Sequence, residues 1–238
     1  MSDPGSAGAL HVYVARSEQP FAERLEQRYL ALMPPSLRAT IAGCRRWQDR
    51  QATLIGRLLL LRGWGSTSRA DAARRLAALS FGRHGKPFTE GGPEFSIAHS
   101  AALVVVAFAE HGRLGIDVEK IGTVDLDDFA NDLPELQSLR ENPDQATVAA
   151  RFYDCWTRKE AVLKASGEGL QRPLKEVMLH DDTAQLADTR WYLTRVALDA
   201  GYCCHLATDR RPGPMVIDYV DLTNERFLFD DDLPTKEW

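Results

Sequence analysis

Apolar residues recur along the chain with two different periods, and the switches between them mark the elements. Residues 9–15 (ALHVYVA) alternate and predict a strand. Residues 21–33 carry helical spacing that stops at Pro34 and Pro35. A second helix is predicted over 49–61 (DRQATLIGRLLLL), where Leu54, Leu58 and Leu61 form one face while Arg50 and Arg57, seven apart, share another. Ser68 followed by Asp71 signals a capped helix running to about residue 79, and Gly82, Gly85 and Pro87 then break the chain into a loop. After an apolar stretch at 95–98, the β-branched run 102–109 (ALVVVAFA) reads as a buried strand.

The turn at 110–113 leads straight into 114–121 (LGIDVEKI), so the two runs predict an antiparallel hairpin. Side chains alternate along a strand, which puts Ile116 and Val118 on one face and makes Asp117 and Glu119 neighbours on the other. Residues 123–144 are acidic and poorly periodic, predicting a loop with a short helix. A strong helix follows over 147–166, terminated by Gly167 and Gly169. Runs at 192–198, 202–208 and 215–221 predict three more strands.

Composition narrows the class without naming a function. With 238 residues, 44% hydrophobic and 26% charged, the chain suits one globular domain or two small halves. No apolar run approaches the roughly 20 residues of a membrane span. The first ten residues lack a basic segment followed by an apolar one, so the expectation is a cytoplasmic protein. Cys44, Cys155, Cys203 and Cys204 show no C-x-x-C spacing, and they read as reduced, mostly buried thiols rather than a zinc site or a disulfide framework. The net charge of −5 divides unevenly: residues 1–100 carry +6 and residues 101–238 carry −11. The first part suits an anion and the second a cation, although solvated surfaces of either sign are the commoner reason for such a split.

Two carboxylates on one strand face are weak evidence of chemistry, since exposed cross-strand decoration is common. Glu160 strengthens it. On the 147–166 helix it falls between Trp156 and Tyr153, inside the stripe made by Ala149, Phe152 and Leu163, where an ionised carboxylate needs a partner. Lys164, four residues on, is one partner, worth only about 0.2 to 0.5 kcal/mol on an exposed helix. A divalent cation held by Asp117, Glu119 and Glu160 accounts for all three carboxylates, because magnesium prefers oxygen ligands and keeps positions for water and phosphate. Lys86, His99, Arg50 and Arg57 are then candidate contacts for the anion, each weak by itself.

These residues together resemble the Sfp-type 4′-phosphopantetheinyl transferases. The resemblance runs from about residue 46 to 177. It rests on Arg57-Leu-Leu-Leu-Leu-Arg62, Gly85-Lys-Pro-Phe88, Phe95-Ser-Ile-Ala-His-Ser100, Gly115-Ile-Asp-Val-Glu119, and Trp156-Thr-Arg-Lys-Glu-Ala-Val-Leu-Lys-Ala165 followed by Gly167 and Gly169-Leu170. It implies an α+β fold of two similar halves, residues 1–112 and 113–238, packed as a pseudo-dimer with coenzyme A in the cleft between them. Asp117, Glu119 and Glu160 would ligate magnesium, Lys86 and His99 would contact phosphates of coenzyme A, and Glu160 would deprotonate a serine of an apo acyl or peptidyl carrier protein. Lys164 would steady the departing 3′,5′-ADP. The implied protein is a monomer that engages neither nucleic acid nor membrane. Many members carry serine where Ala98 stands and a basic residue where Ala52 stands, so a hydroxyl contact to coenzyme A is expected to be missing at Ala98, with Arg50 or Arg57 compensating at Ala52. A non-catalytic coenzyme A or carrier-binding homologue and a phosphohydrolase releasing phosphopantetheine to water are the alternatives.

Overall fold

Two β-sheets lie face to face in a computed structural model, each covered on its outer face by one long helix, and the class is α+β. The structure describes residues 7–129, 133–141, 144–169 and 172–223. Leu170 of the motif, the first six residues and residues 224–238 lie outside them.

The first sheet has the order β11-β1-β5-β4, from Met215–Tyr219, Leu10–Arg16, Leu103–Ala109 and Glu94–Ser100. β11 pairs parallel to β1, so the last described strand returns to the sheet in which the chain began. The second sheet has the order β6-β10-β9-β8-β7, from Leu114–Lys120, Tyr202–Thr208, Thr189–Arg195, Thr183–Leu186 and Met178–His180. A two-stranded ribbon, β2 (Leu79–Phe81) with β3 (Pro87–Thr89), carries the Gly85-Lys86 turn.

Alternation along the strands sorts their side chains into layers. Val12 and Val14 of β1, Val105 and Ala107 of β5, Ile116 and Val118 of β6 and Leu206 of β10 meet in the core between the sheets. Val104, Val106 and Phe108 point the other way, onto α3 (Trp47–Gly63), whose Leu54, Ile55, Leu58 and Leu61 are buried. On the far side α5 (Gln145–Ser166) sets Ala161, Val162 and Ala165 against Trp191, Leu193 and Ala207. Gly167 ends α5 in the left-handed region at φ 79°, the conformation glycine adopts without a Cβ penalty.

The predicted capped helix is α4 (Arg69–Ala77), with the Ser68 hydroxyl accepting from Asp71 N–H at 3.2 Å. The helix expected over 21–33 is α1 (Glu23–Ala31), and Pro35 starts a further helix, α2 (Pro35–Ala42), rather than a loop, because proline at the first helical position has no N–H to lose. Residues 123–144 contain two short 3-10 helices, Leu126–Phe129 and Pro134–Glu141.

The antiparallel hairpin expected from 102–109 and 114–121 does not form. β5 pairs with β1 and β4, whereas β6 pairs with β10, and the intervening turn steps from one sheet to the other. Both edges of β5 are already occupied, so β6 cannot add to it. β6 instead abuts β4 through side chains: the Ser96 hydroxyl accepts from Ile116 N–H and the Ser100 hydroxyl from Lys120 N–H, both at 3.1 Å. The equal offset of the two rungs makes the strands parallel and closes the seam between the sheets. Among the described residues no helix is long and apolar enough to cross a membrane.

Candidate active site

The seam decides what the site contains. On β4, Phe95 and Ile97 pack toward α3, and His99 continues that outer face into the open; on β6, Asp117 and Glu119 point to the outer face under α5. The outer faces of two different sheets therefore become continuous where β4 meets β6. Lys164 and Asp117 both act on the charge of His99, and Lys164 and His99 on that of Asp117.

Asp117 is 4% exposed, and its Oδ1 accepts from Lys164 Nζ at 2.6 Å. Burial still pushes its carboxyl above the ordinary range, outweighing the ammonium. Glu119 Oε2 accepts from the Ser100 hydroxyl at 2.6 Å. Its carboxyl is also raised, by burial first and by Asp117, against the opposing hydrogen bond. Glu160, 5% exposed, is pushed up to about 7 by burial and by the like charges of Asp117 and Glu119, with Lys164 opposing. Lys164 thus pairs with Asp117 across the β6–α5 interface and not with Glu160 along its own helix.

Two carboxylate oxygens, Asp117 Oδ2 and Glu160 Oε1, are buried without a hydrogen-bond partner. Buried acceptors left so are costly, and crowded carboxylates that raise one another are what a cation relieves. The donors are all oxygen, which fits a hard divalent ion. The side chains alone do not form a closed cage. Among the described residues, the group whose His, Cys, Asp or Glu ligand atoms all lie within 4.8 Å is Asp154, Cys203 and His205, a different cluster beneath α5.

A cavity of about 420 Å³ opens beside the carboxylates, lined among others by Lys86, Ile97, Glu160, Lys164, Gly167 and Gly169. Lys86 Nζ holds Glu94 Oε1 at 2.5 Å and the Leu114 carbonyl at 2.9 Å, so the ribbon turn is tied to both β4 and the start of β6. Gly169 brings the end of α5 to the same turn, where a Cβ would lie 3.5 Å from that of His84. Arg50 and Arg57 do not line this cavity. Arg50 pairs with Glu26 of α1 at 3.1 Å, and Arg57 is buried with its guanidinium 5.8 Å from the centre of the Phe81 ring. Burial lowers the Arg57 pKa.

Ala98 and Ala52 also occupy other places than the resemblance led one to expect. Ala98 is 4% exposed in the core between the sheets, on the face opposite His99, and Ala52 packs in the α3 core. Neither is among the residues that line the cavity, although Ser96, on the same face of β4 as Ala98, is. Sequence reasoning missed Ser96 and Ser100, whose i, i+4 spacing on β4 puts both on the face opposite His99.

Two helix-backed sheets whose junction gathers carboxylates, an ammonium and a lysine-lined cavity define an α+β protein built to hold charged groups at that junction. The profile of the 4′-phosphopantetheinyl transferase superfamily matches residues 113–212. The chain is 32% identical over 185 residues to a 4′-phosphopantetheinyl transferase of Bacillus subtilis, spanning 73% of this chain and 78% of the relative. It is 27% identical over 208 residues to the 4′-phosphopantetheinyl transferase Sfp of Bacillus subtilis strain 168, spanning 81% and 89%. To the 4′-phosphopantetheinyl transferase HetI of Nostoc it is 38% identical over 97 residues, spanning 39% and 40%. The chain belongs to the 4′-phosphopantetheinyl transferase family, of the Sfp type.

Proposed function

We propose that the protein transfers the phosphopantetheine arm of coenzyme A to a serine hydroxyl of an apo acyl or peptidyl carrier protein, releasing 3′,5′-ADP, as a magnesium-dependent holo-carrier synthase. Within the family, the observation that carries this reading is the convergence of Asp117, Glu119 and Glu160, with two orphaned oxygens, on Lys164. A non-catalytic binder would have no use for that crowding, which raises all three carboxyls.

Asp117, Glu119 and Glu160 would hold magnesium, and the ion would supply positive charge to the pyrophosphate of coenzyme A. Glu160, with its pKa near neutrality, is suited to accept the proton of the serine hydroxyl as its oxygen attacks phosphorus. Lys164, held by Asp117, presents an ammonium for charge that grows on the leaving phosphate. Residues 1–112 would contribute the coenzyme A phosphate contacts through Lys86 and His99, and residues 113–238 the magnesium and catalytic residues. A sheet with one long covering helix occurs in each part, with β11 crossing back from the second part to the first sheet, and this supports reading them as two similar halves with the cleft between.

Incubation with coenzyme A, magnesium and a panel of apo-carriers, followed by intact mass measurement, tests this. The expected product is a carrier heavier by one phosphopantetheine, formed with magnesium and lost with a chelator. Phosphopantetheine released to water without carrier modification would establish the hydrolase instead, and no product of either kind the binder.

Lys86→Ala is expected to raise KM for coenzyme A roughly tenfold or more with a smaller change in kcat, since a charge-assisted contact made equally in ground and transition states acts on binding. Steady-state kinetics at varied coenzyme A checks it; an unchanged KM places Lys86 outside the binding site. Ala98→Ser is expected to leave coenzyme A affinity unchanged, because position 98 faces the sheet seam. Its new hydroxyl would be buried between the sheets, so stability should fall by about 1 to 3 kcal/mol if it stays unpaired. Tighter binding by calorimetry would mean that position 98 reaches the phosphates.

A further inference from the structure

Beneath α5, one strand over from Asp117 and Glu119, lies a polar cluster that the proposed reaction does not use. Cys203 and His205 sit two apart on β10, and Asp154 and Thr157 face them from α5. Cys203 and His205 are 3% and 4% exposed. Thr157 Oγ1 lies 2.7 Å from the Tyr153 carbonyl and 2.8 Å from His205 Nδ1, and Cys203 Sγ lies 3.9 Å from the same ring nitrogen. His205 Nε2 lies 3.6 Å from Asp154 Oδ1. A nitrogen, an oxygen and a sulphur donor thus converge in a buried site.

The geometry points to a binding site for a borderline-soft divalent metal, zinc in the first place, formed by His205 Nε2, Asp154 Oδ1 and Cys203 Sγ.

One ligand atom from each of the three residues lies within 4.8 Å of the other two. At tetrahedral angles zinc holds nitrogen and oxygen ligands roughly 3.3 to 3.5 Å apart and nitrogen and sulphur ligands roughly 3.6 Å apart, so the 3.6 Å pair of His205 and Asp154 is near ligand spacing and the three donors draw in to bind. The donor set of nitrogen, sulphur and oxygen selects zinc over magnesium, which takes oxygen alone. His205 Nδ1–H on Thr157 is the outer hydrogen bond that metal-bound histidines ordinarily make. Asp154 has divided its oxygens, Oδ2 lying 3.5 Å from Arg158 Nη1 and Oδ1 turning to His205. On binding, the Cys203 thiol releases its proton to solvent and the thiolate bonds the metal. The ion would tie β10 to α5 on the same sheet face as Asp117 and Glu119, one strand over, since His205 is opposite Asp117 and Cys203 opposite Glu119. Its part is structural.

The full-length protein, loaded with Co²⁺ or Zn²⁺ and desalted, tests this without substrate, so a failure here leaves the transferase reading untouched. The expected result is retention of about one equivalent of metal. The cobalt form should show thiolate-to-metal charge transfer and tetrahedral ligand-field bands, neither displaced by excess Mg²⁺. Cys203→Ser should lose the charge-transfer band, Thr157→Val should weaken retention about tenfold, and Glu160→Gln should retain metal as the wild type does. A wild-type cobalt spectrum without thiolate charge transfer overturns the proposal even if no variant folds. Retention that survives Cys203→Ser, or that disappears in Glu160→Gln, overturns it by placing the metal at the carboxylates or elsewhere.

Discussion

Glu160→Gln is expected to abolish most turnover, by about 10² to 10⁴-fold if the carboxylate acts as the general base, while the metal-free protein becomes more stable at neutral pH. Both effects have one cause. Burial first, and then the charges of Asp117 and Glu119, hold the Glu160 pKa at about 7 against an ordinary 4.5, so its ionised form is disfavoured in the folded state. For a group raised in this way the stabilising contribution is complete below about 4.5 and is lost as pH rises through about 7. At most about 3 kcal/mol is involved, from the size of the shift. Glutamine keeps the shape and never ionises, so the variant avoids that loss. Unfolding free energies of the two proteins should coincide near pH 4 and diverge toward pH 8, with the variant the more stable. Magnesium should narrow the gap, because it binds the folded wild type more tightly and stabilises it by linkage. A gap that does not change with pH would show that neither burial nor its carboxylate neighbours raise the Glu160 pKa.

Gly115→Ala is expected to cost both fold and activity, although position 115 carries no chemistry. A Cβ there would lie 2.1 Å from the Ala161 carbonyl oxygen and 2.4 Å from the Ala165 backbone nitrogen. Backbone atoms of a buried helix cannot swing aside as a side chain can, so α5 must lift off β6. Overpacking of this kind costs roughly 3 kcal/mol or more, which in a chain of this size lowers Tm by about 6 to 12 °C. The displaced helix carries Glu160 and Lys164, the residues just before Ala161 and Ala165, and the strand carries Asp117 two residues on. The 2.6 Å bond between Lys164 and Asp117 depends on the approach that glycine permits. Turnover measured where both proteins are folded should fall by more than the unfolded fraction explains. An unchanged Tm would mean that β6 and α5 are not in backbone contact.

Much of the fold can be read from local pattern. The periodicity of α3 and α5, the alternation of β1 and β6, the continuous β-branched run of β5, the Ser68 cap and the Gly167 stop all act within a turn or a strand, where sequence distance and spatial distance agree. β7 and β8, of three and four residues, were not foreseen because such short strands carry too few alternations to distinguish them from loop. α2 was not foreseen because Pro35 marks both the end of one helix and the first turn of the next. The hairpin between β5 and β6 failed for a different reason. A short turn between two strands is compatible with pairing and with a step between sheets, and only the occupancy of both edges of β5 by β1 and β4 decides.

By itself, then, the sequence determined which residues share a face: Asp117 with Glu119 on one strand, Glu160 within the apolar stripe of one helix, and the motif order that marks the family. These follow from the fixed periods of 2 and 3.6 residues, which no tertiary contact alters. The tertiary structure alone decided which faces meet. It sent Lys164 to Asp117 instead of Glu160, turned Ala98 into the core and His99 outward, gave Glu119 the Ser100 hydroxyl, and placed Cys203 and His205 against Asp154. Each of these joins elements that no short-range pattern links, Lys164 to Asp117 across 47 positions and His205 to Thr157 across 48. Partners at such separations are selected by packing of the whole chain, through burial and close approach at positions such as Gly115, and leave no periodic trace along it.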